Sequence, residues 1–261
     1  MKLTVIKIGG NVIDNQEFCT QFLQDFSEIP APKILIHGGG KIATQMAEKL
    51  GIETVMVDGR RITDKAMLDV VTMVYGGLVN KNLVAKLQSF GTNAIGLTGA
   101  DGGVIRSIKR PVKTVDYGFV GDIEAVDTAQ IAGMLNQGLT PVFAPLTFDK
   151  DGNMLNTNAD TQAQAVATAM AKEYEVNLVY CFEKKGVLSD PEDDDSVISE
   201  LKPADYEAHK ASGAIYKGMI PKLDNAFKAL EEGVTQVTIC HAGEVKQAVK
   251  EGISGTRLTL S

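Results

Sequence analysis

The chain has 261 residues, 44% of them apolar but only 6% aromatic, with no Trp. Its formal net charge of −7 makes nucleic acid and anionic membranes poor partners for the surface as a whole, and no apolar run approaches the ~18 residues of a membrane span. Cys19, Cys181 and Cys240 are odd in number, widely spaced and without a CxxC pair, which argues against a disulfide framework or zinc site and for a reducing cytosol.

Apolar runs and helical patterns alternate from the first residues onward. The opening MKLTVIKIGG reads as a strand over 3–8 running straight into two glycines, not as a signal peptide. A helix over 16–26, a strand over 33–36 and a helix over 41–50 follow. Helices are expected over 64–75 and 79–90, a strand over 93–97, and hairpins across 104–125. Asp127 is placed to cap a helix to 136. A strand over 140–144 and a helix over 158–173 precede a strand over 177–181. Helices over 203–209 and 221–232, the second with Pro221 in its first turn, lead to a strand over 235–240, a helix over 244–250 and a last strand over 257–260. This alternation predicts a mostly parallel sheet with helices on both faces, an α/β fold. Where the long helix gives way to a new strand, a division into lobes 1–175 and 176–261 is expected. The acidic run Glu192-Asp193-Asp194-Asp195 reads as a solvated loop, because like charges resist burial.

Five segments carry candidate chemistry. Lys7-Ile8-Gly9-Gly10 places glycines after the first strand, where backbone N–H groups can point at phosphate oxygens and Lys7 adds a full charge. The blander alternative is a tight turn with a snorkelling lysine. His37-Gly38-Gly39-Gly40-Lys41 sits between a strand and a helix N-terminus, which favours anions. Gly38, Gly40 and Ala43, with Asp58 twenty residues after Gly38, also fit a relaxed dinucleotide fingerprint, so an NAD(P)-dependent oxidoreductase is a rival reading. That fingerprint follows the second strand, however, and no Gly-x4-Gly-Lys-Ser/Thr loop occurs. His37 reads as a packed strand-end residue. Arg60 and Arg61 could fork onto carboxylates or lie on the surface. Asn156, Asn158 and Asp160 open a helix. One cap needs one such residue, and the three would share one side if the segment is extended. Lys222 stands in a helical first turn, where a cation opposes the macrodipole, so an acidic partner is expected there, with Asp160 the candidate.

Together the segments resemble the amino acid kinase family, in its N-acetylglutamate kinase branch. The matching residues are Lys7-x-Gly9-Gly10, His37-Gly38-Gly39-Gly40, Gly59-x-Arg61-x-Thr63, Asn156-x-Asn158-x-Asp160, Gly218-Met219-Ile220-x-Lys222 and Gly255-Thr256-Arg257. They run in the family's order over almost the whole chain. The resemblance implies a three-layer αβα sandwich, with the acyl amino acid in the N-terminal lobe and ATP in the C-terminal one. It implies phosphoryl transfer to the γ-carboxylate of an N-acyl-L-glutamate, the second step of arginine biosynthesis, with Mg2+ held mainly by the nucleotide phosphates. Lys7 and Lys222 are implied to neutralise the moving phosphoryl group and Asp160 to orient them. Gly9, Gly10, Gly38 and Gly39 would hold phosphate, while Gly39, Gly40, Arg61, Asn156 and Asn158 would hold the amino acid. A non-catalytic nucleotide-binding regulator could dispense with Lys7, Lys222 and Asp160, and all three are present.

Three departures from the family pattern matter. Arg60 stands where an apolar residue is common, which raises an N-succinyl substrate beside the N-acetyl one. Glu183, in Cys181-Phe182-Glu183-Lys184-Lys185-Gly186, takes the place of a nucleotide-side Asp, and Glu183 and Lys222 are the expected nucleotide contacts. The first strand begins at once, without the N-terminal helix of arginine-inhibited hexamers, so a cytoplasmic homodimer without strong arginine feedback is expected.

Overall fold

Leu3 and Val5 leave the first strand, Lys2–Ile8, on one face, and Ile6 and Ile8 leave it on the other; all four are fully buried. A strand apolar on both faces must lie inside a sheet covered twice. The computed structural model, which describes residues 1–190, 192–213, 215, 219–250 and 254–260, places it there. The main sheet has eight strands in the order Glu200–Leu201, Thr256–Leu258, Gln236–His241, Glu175–Phe182, Lys2–Ile8, Lys33–His37, Thr140–Phe143 and Ala94–Leu97. Every neighbouring pair is parallel except Gln236–His241 with Thr256–Leu258.

Parity sorts the core into two layers. Leu3, Val5, Ile34, Ile36, Leu178 and Tyr180 face helices that include Ala159–Met170 and Ile220–Glu231. Ile6, Ile8, Leu35, Val179 and Cys181 face Gln16–Ser27, Gly40–Lys49 and Asn80–Ser89. The expected three-layer αβα sandwich with a mostly parallel sheet is the observed architecture. Lys7 follows Leu3 and Val5 in parity, so it points into the layer that contains the starts of Ala159–Met170 and Ile220–Glu231. Among the described residues no helix is long and apolar enough to cross a membrane.

Four features differ from the sequence reading. The helices expected over 64–75 and 79–90 form one run, Lys65–Val71, a π-helical Thr72–Val79, then Asn80–Ser89. Gly76 and Gly77 suggest a break, but buried Val74, Tyr75 and Val79 anchor the run through it. A short helix, Gly10–Asp14, follows the first strand. Strands Met56–Val57 and Arg60–Arg61 form a hairpin around Asp58 (φ 48°) and Gly59 (φ 72°), the positive-φ pair that a two-residue loop requires. Leu146–Phe148 and Met154–Asn156 pair as a second hairpin, joined to the expected one of Ile105–Lys109 and Gly121–Val126.

Candidate active site

The two glycine segments leave adjacent parallel strands at their C-terminal ends and meet. A Cβ on Gly38 would lie 3.4 Å from the Gly10 nitrogen, and one on Gly10 3.8 Å from the nitrogens of Gly39 and Gly40. Gly39 has φ 153°, and a Cβ there would stand 3.1 Å from the Tyr75 ring. Only glycine meets both demands. Gly39 also caps Gly40–Lys49 with no side-chain hydrogen bond, which leaves the helix's first N–H groups without a side-chain acceptor.

His37 is a packing residue. It is fully buried, with Nδ1 2.7 Å from the Gly38 carbonyl and Nε2 3.0 Å from the Asn80 amide nitrogen. Burial, with a smaller contribution from Lys81, pushes its pKa down to about 4. The ring is neutral, donating from Nδ1 and accepting at Nε2.

Past the glycines lies a buried charge cluster. Lys7 Nζ is 2.6 Å from Asp160 Oδ1, and Lys222 Nζ donates to Asp160 Oδ2 at 3.1 Å. Side-chain exposures of 7%, 12% and 26% for Lys7, Asp160 and Lys222 show that water screens the cluster little. Phe182 underlies both cations, its ring centroid 4.9 Å from Lys7 Nζ and 4.2 Å from Lys222 Nζ, an arrangement in which the ring face attracts each. Burial holds Lys7 below the ordinary lysine value, although Asp160 opposes the shift. Burial alone would raise Asp160, but Lys7 and Lys222 outweigh it and keep the carboxylate ionised. Two cations on one anion leave a net positive charge, suited to a polyanion.

Two cavities adjoin this cluster. One, of about 460 Å³, is bordered by Lys7, Gly9, Gly10, Glu183 and Lys222; the other, of about 190 Å³, by Arg60, Arg61, Asn156 and Asn158. Gly38, Gly39 and Gly40 border both, so the glycine rim is their shared wall. A third hollow, of about 280 Å³ and lined by Val187, Leu188 and Ile215, shares Lys184 and Met219 with the larger cavity.

Arg61 is buried and donates from Nη2 to the Gly40 carbonyl at 2.8 Å and to Thr44 Oγ1 at 2.9 Å. Asn156 donates to Thr63 Oγ1 at 3.0 Å. Asn158 accepts from the Thr161 N–H at 3.0 Å and is the N-cap. The chain therefore does not stay extended from 156 to 160. It turns into a helix after Asn158, which sends Asp160 toward Lys7 while Asn156 and Asn158 border the smaller cavity. Glu183 is exposed and accepts from Asn11 Nδ2 at 2.7 Å. Lys184 and Lys185 each lie 2.5 Å from a carboxylate of the exposed acidic loop, Asp194 and Asp195 respectively. Lys217 and Gly218 lie outside the described residues. Asn11, Tyr75 and Phe182 were missed by the sequence reading. Phe182 shares parity with Tyr180, the register partner of Lys7, but that register is set by the fold and carries no signal in the sequence.

The dinucleotide reading fails on geometry. Asp58 occupies a hairpin turn, where it cannot serve as the acid that ends a second parallel strand and binds a ribose.

The sequence model described as the amino acid kinase family matches residues 2–241. The chain belongs to the amino acid kinase family. Its relatives include an acetylglutamate kinase of Cytophaga hutchinsonii, 58% identical over 259 residues and covering 98% of each chain. One of Bacteroides thetaiotaomicron is 59% identical over 245 residues, covering 94% of this chain and 95% of the relative. Among solved structures, smu.665 from Streptococcus mutans matches with a TM-score of 0.79 at 29% identity, covering 99% of both chains. A carbamate kinase from Giardia lamblia bound to AMP-PNP shares the amino acid kinase fold, with a TM-score of 0.73 at 13% identity over 100% of this chain and 99% of that one.

Proposed function

We infer that the chain catalyses ATP-dependent phosphorylation of the γ-carboxylate of an N-acyl-L-glutamate, giving an acyl phosphate and ADP as in the second step of arginine biosynthesis. The observation that carries this reading is the Lys7–Asp160–Lys222 cluster beside two glycine loops whose shared wall separates two cavities. Acetylglutamate kinases at 58–59% identity over nearly the whole chain support the acceptor class.

Phosphoryl transfer needs alignment and charge stabilisation more than covalent chemistry. A carboxylate acceptor is already ionised at neutral pH, so no general base is required. The N–H groups around Gly10, Gly39 and Gly40, with Gly9 and Gly38 shaping the turns, hold the transferring group. Lys7 and Lys222 together take up its charge, and Asp160 fixes both ammonium positions. Arg61, Asn156 and Asn158 hold the amino acid in the smaller cavity. The nucleotide enters over Glu183 and Lys222, with the apolar hollow at Val187, Leu188 and Ile215 beside it for the base. Among the described residues no group of three or more His, Cys, Asp or Glu side chains is placed to cage a metal. Asp160 is occupied by two lysines, so the nucleotide phosphates are the fitting ligands for Mg2+.

A division into lobes 1–175 and 176–261 fits a main sheet in which Lys2–Ile8 pairs with Glu175–Phe182 at the boundary. A homodimer fits Met73 and Leu78, left 56% and 46% exposed on the π-helical segment. A cytoplasmic location fits the unpaired cysteines. The test is ADP release with MgATP and N-acyl-L-glutamate against free L-glutamate. Turnover confined to the acylated compounds is expected, and no acceptor-dependent ADP release would overturn the reading.

A further inference from the structure

Arg60 and Arg61 are consecutive on one short strand, so their side chains leave it on opposite sides. Both border the smaller cavity. Arg61 is satisfied by the Gly40 carbonyl and the Thr44 and Thr54 hydroxyls. Arg60 has no such partner: among the described residues its guanidinium makes no hydrogen bond or ion pair. The charges acting on it are Arg110, which repels, and Asp122, which attracts, with Tyr117 a weaker influence.

Asp122 is already engaged. The Arg110 Nε donates to Asp122 Oδ1 at 3.0 Å, and Arg110 Nη2 donates to the same oxygen. The pair stands behind the cavity lining: Val120 borders the cavity, and its carbonyl accepts from the Arg110 N–H at 2.8 Å. Arg60 is thus a partly buried guanidinium beside a second one, which already holds one oxygen of the nearby carboxylate. Burial lowers its pKa first and Arg110 adds to the effect, so the protein alone holds this charge at a disadvantage. An anion entering the cavity would remove it.

An N-acyl-L-glutamate has three arms. In the reading above, the γ-carboxylate must reach the Gly38–Gly40 wall to meet the phosphoryl group, and the α-carboxylate falls to Arg61 and Asn156. The remaining arm is the acyl group, and the remaining cation is Arg60. An acetyl methyl gives a guanidinium nothing to bind. We propose that Arg60 is a specificity-determining residue that receives a carboxylate at the far end of the acyl group, so that the substrate is an N-acyl-L-glutamate whose acyl chain is a short dicarboxylic acid such as succinyl. Met56, opposite Arg61 in the hairpin and also on the cavity wall, offers apolar contact to the intervening methylenes. Arg61 and Asn156 hold what all acylglutamates share, while Arg60 reads the part that differs. The proposal rests on the acylglutamate reading, but its test does not need turnover.

Calorimetric titration of the whole protein with N-succinyl-L-glutamate and N-acetyl-L-glutamate, in parallel with ADP release on MgATP, decides it. A charge-assisted hydrogen bond in a partly dry site supports a preference of about 10–100-fold for the succinyl compound. Arg60→Leu and, as a milder variant, Arg60→Gln should lose most of that preference through weaker succinyl binding. Equal or tighter binding of the acetyl compound by the unaltered protein overturns the proposal, as does a preference that both variants retain. Succinyl-selective binding without ADP release from either compound would uphold Arg60 as the selector while refuting the kinase reading. ADP release selective for the acetyl compound would do the reverse.

Discussion

Asp160 faces two ammonium groups with a single negative charge, and this imbalance is what the site has to offer a phosphoryl group. In a poorly screened pocket, a cation aimed at developing charge has the energetic weight of an oxyanion-hole donor. Lys7→Ala and Lys222→Ala should each lower kcat by about 10²–10³-fold, checked by steady-state ADP release with circular dichroism unchanged. In the proposed role Lys7 must be charged, and burial holds its pKa below the ordinary 10.5. The charged form is lost as pH rises through that lowered value, so kcat/KM should fall on the alkaline side below pH 10.5, and Lys7→Arg should move the fall upward. The Lys222–Asp160 contact was legible because a cation in a helical first turn opposes the dipole and calls for an acid. Phe182 and Tyr75 were not, because a strand's or helix's pattern tells which face a side chain takes, not which distant residue it meets.

At the scale of elements, the site is made where strands end. Gly39→Ala would force an L side chain to φ 153° and against the Tyr75 ring at 3.1 Å. Strain of about 1–3 kcal/mol is expected, together with a raised KM for ATP, read from thermal unfolding and kinetics. His37 ends its strand neutral, with its pKa at about 4 against 6.5 when unfolded. The unfolded chain therefore binds the extra proton between these values, and stability that is full above pH 6.5 is lost as pH falls toward 4. The loss should approach about 3 kcal/mol. Urea midpoints measured across that range should flatten in His37→Gln relative to the unaltered protein. The strands and helices around these glycines were readable from apolar period and punctuation. The Asp58-Gly59 hairpin also had a readable signal, a two-residue turn pair, but its strands are too short to show alternation. The π-helical join was hidden because Gly76-Gly77 signals a break, whereas the packing of Val74, Tyr75 and Val79 that overrides it is tertiary.

For the molecule as a whole, parallel strands aim their C-terminal ends at one edge of the sheet, and ligands of such sheets gather there. Lys7, the two glycine loops and Phe182 reach this edge from three adjacent strands, while Asp160 and Lys222 arrive from two helices of a single layer. The alternation of strand and helix foretold this layout. It could not foretell the antiparallel placement of Thr256–Leu258, because a buried strand has the same pattern in either direction. The pairing of the two cavities also lay beyond sequence, since it depends on contact between loops 28 residues apart, from Gly10 to Gly38.

In the proposed reaction a carboxylate accepts the phosphoryl group across the shared glycine wall. The most direct measurement is trapping of the product with hydroxylamine after incubation with MgATP and N-acyl-L-glutamate, because an acyl phosphate yields a hydroxamate. Hydroxamate is expected in step with ADP and nearly abolished in Lys7→Ala. ADP release without hydroxamate, or hydroxamate undiminished in Lys7→Ala, would contradict it.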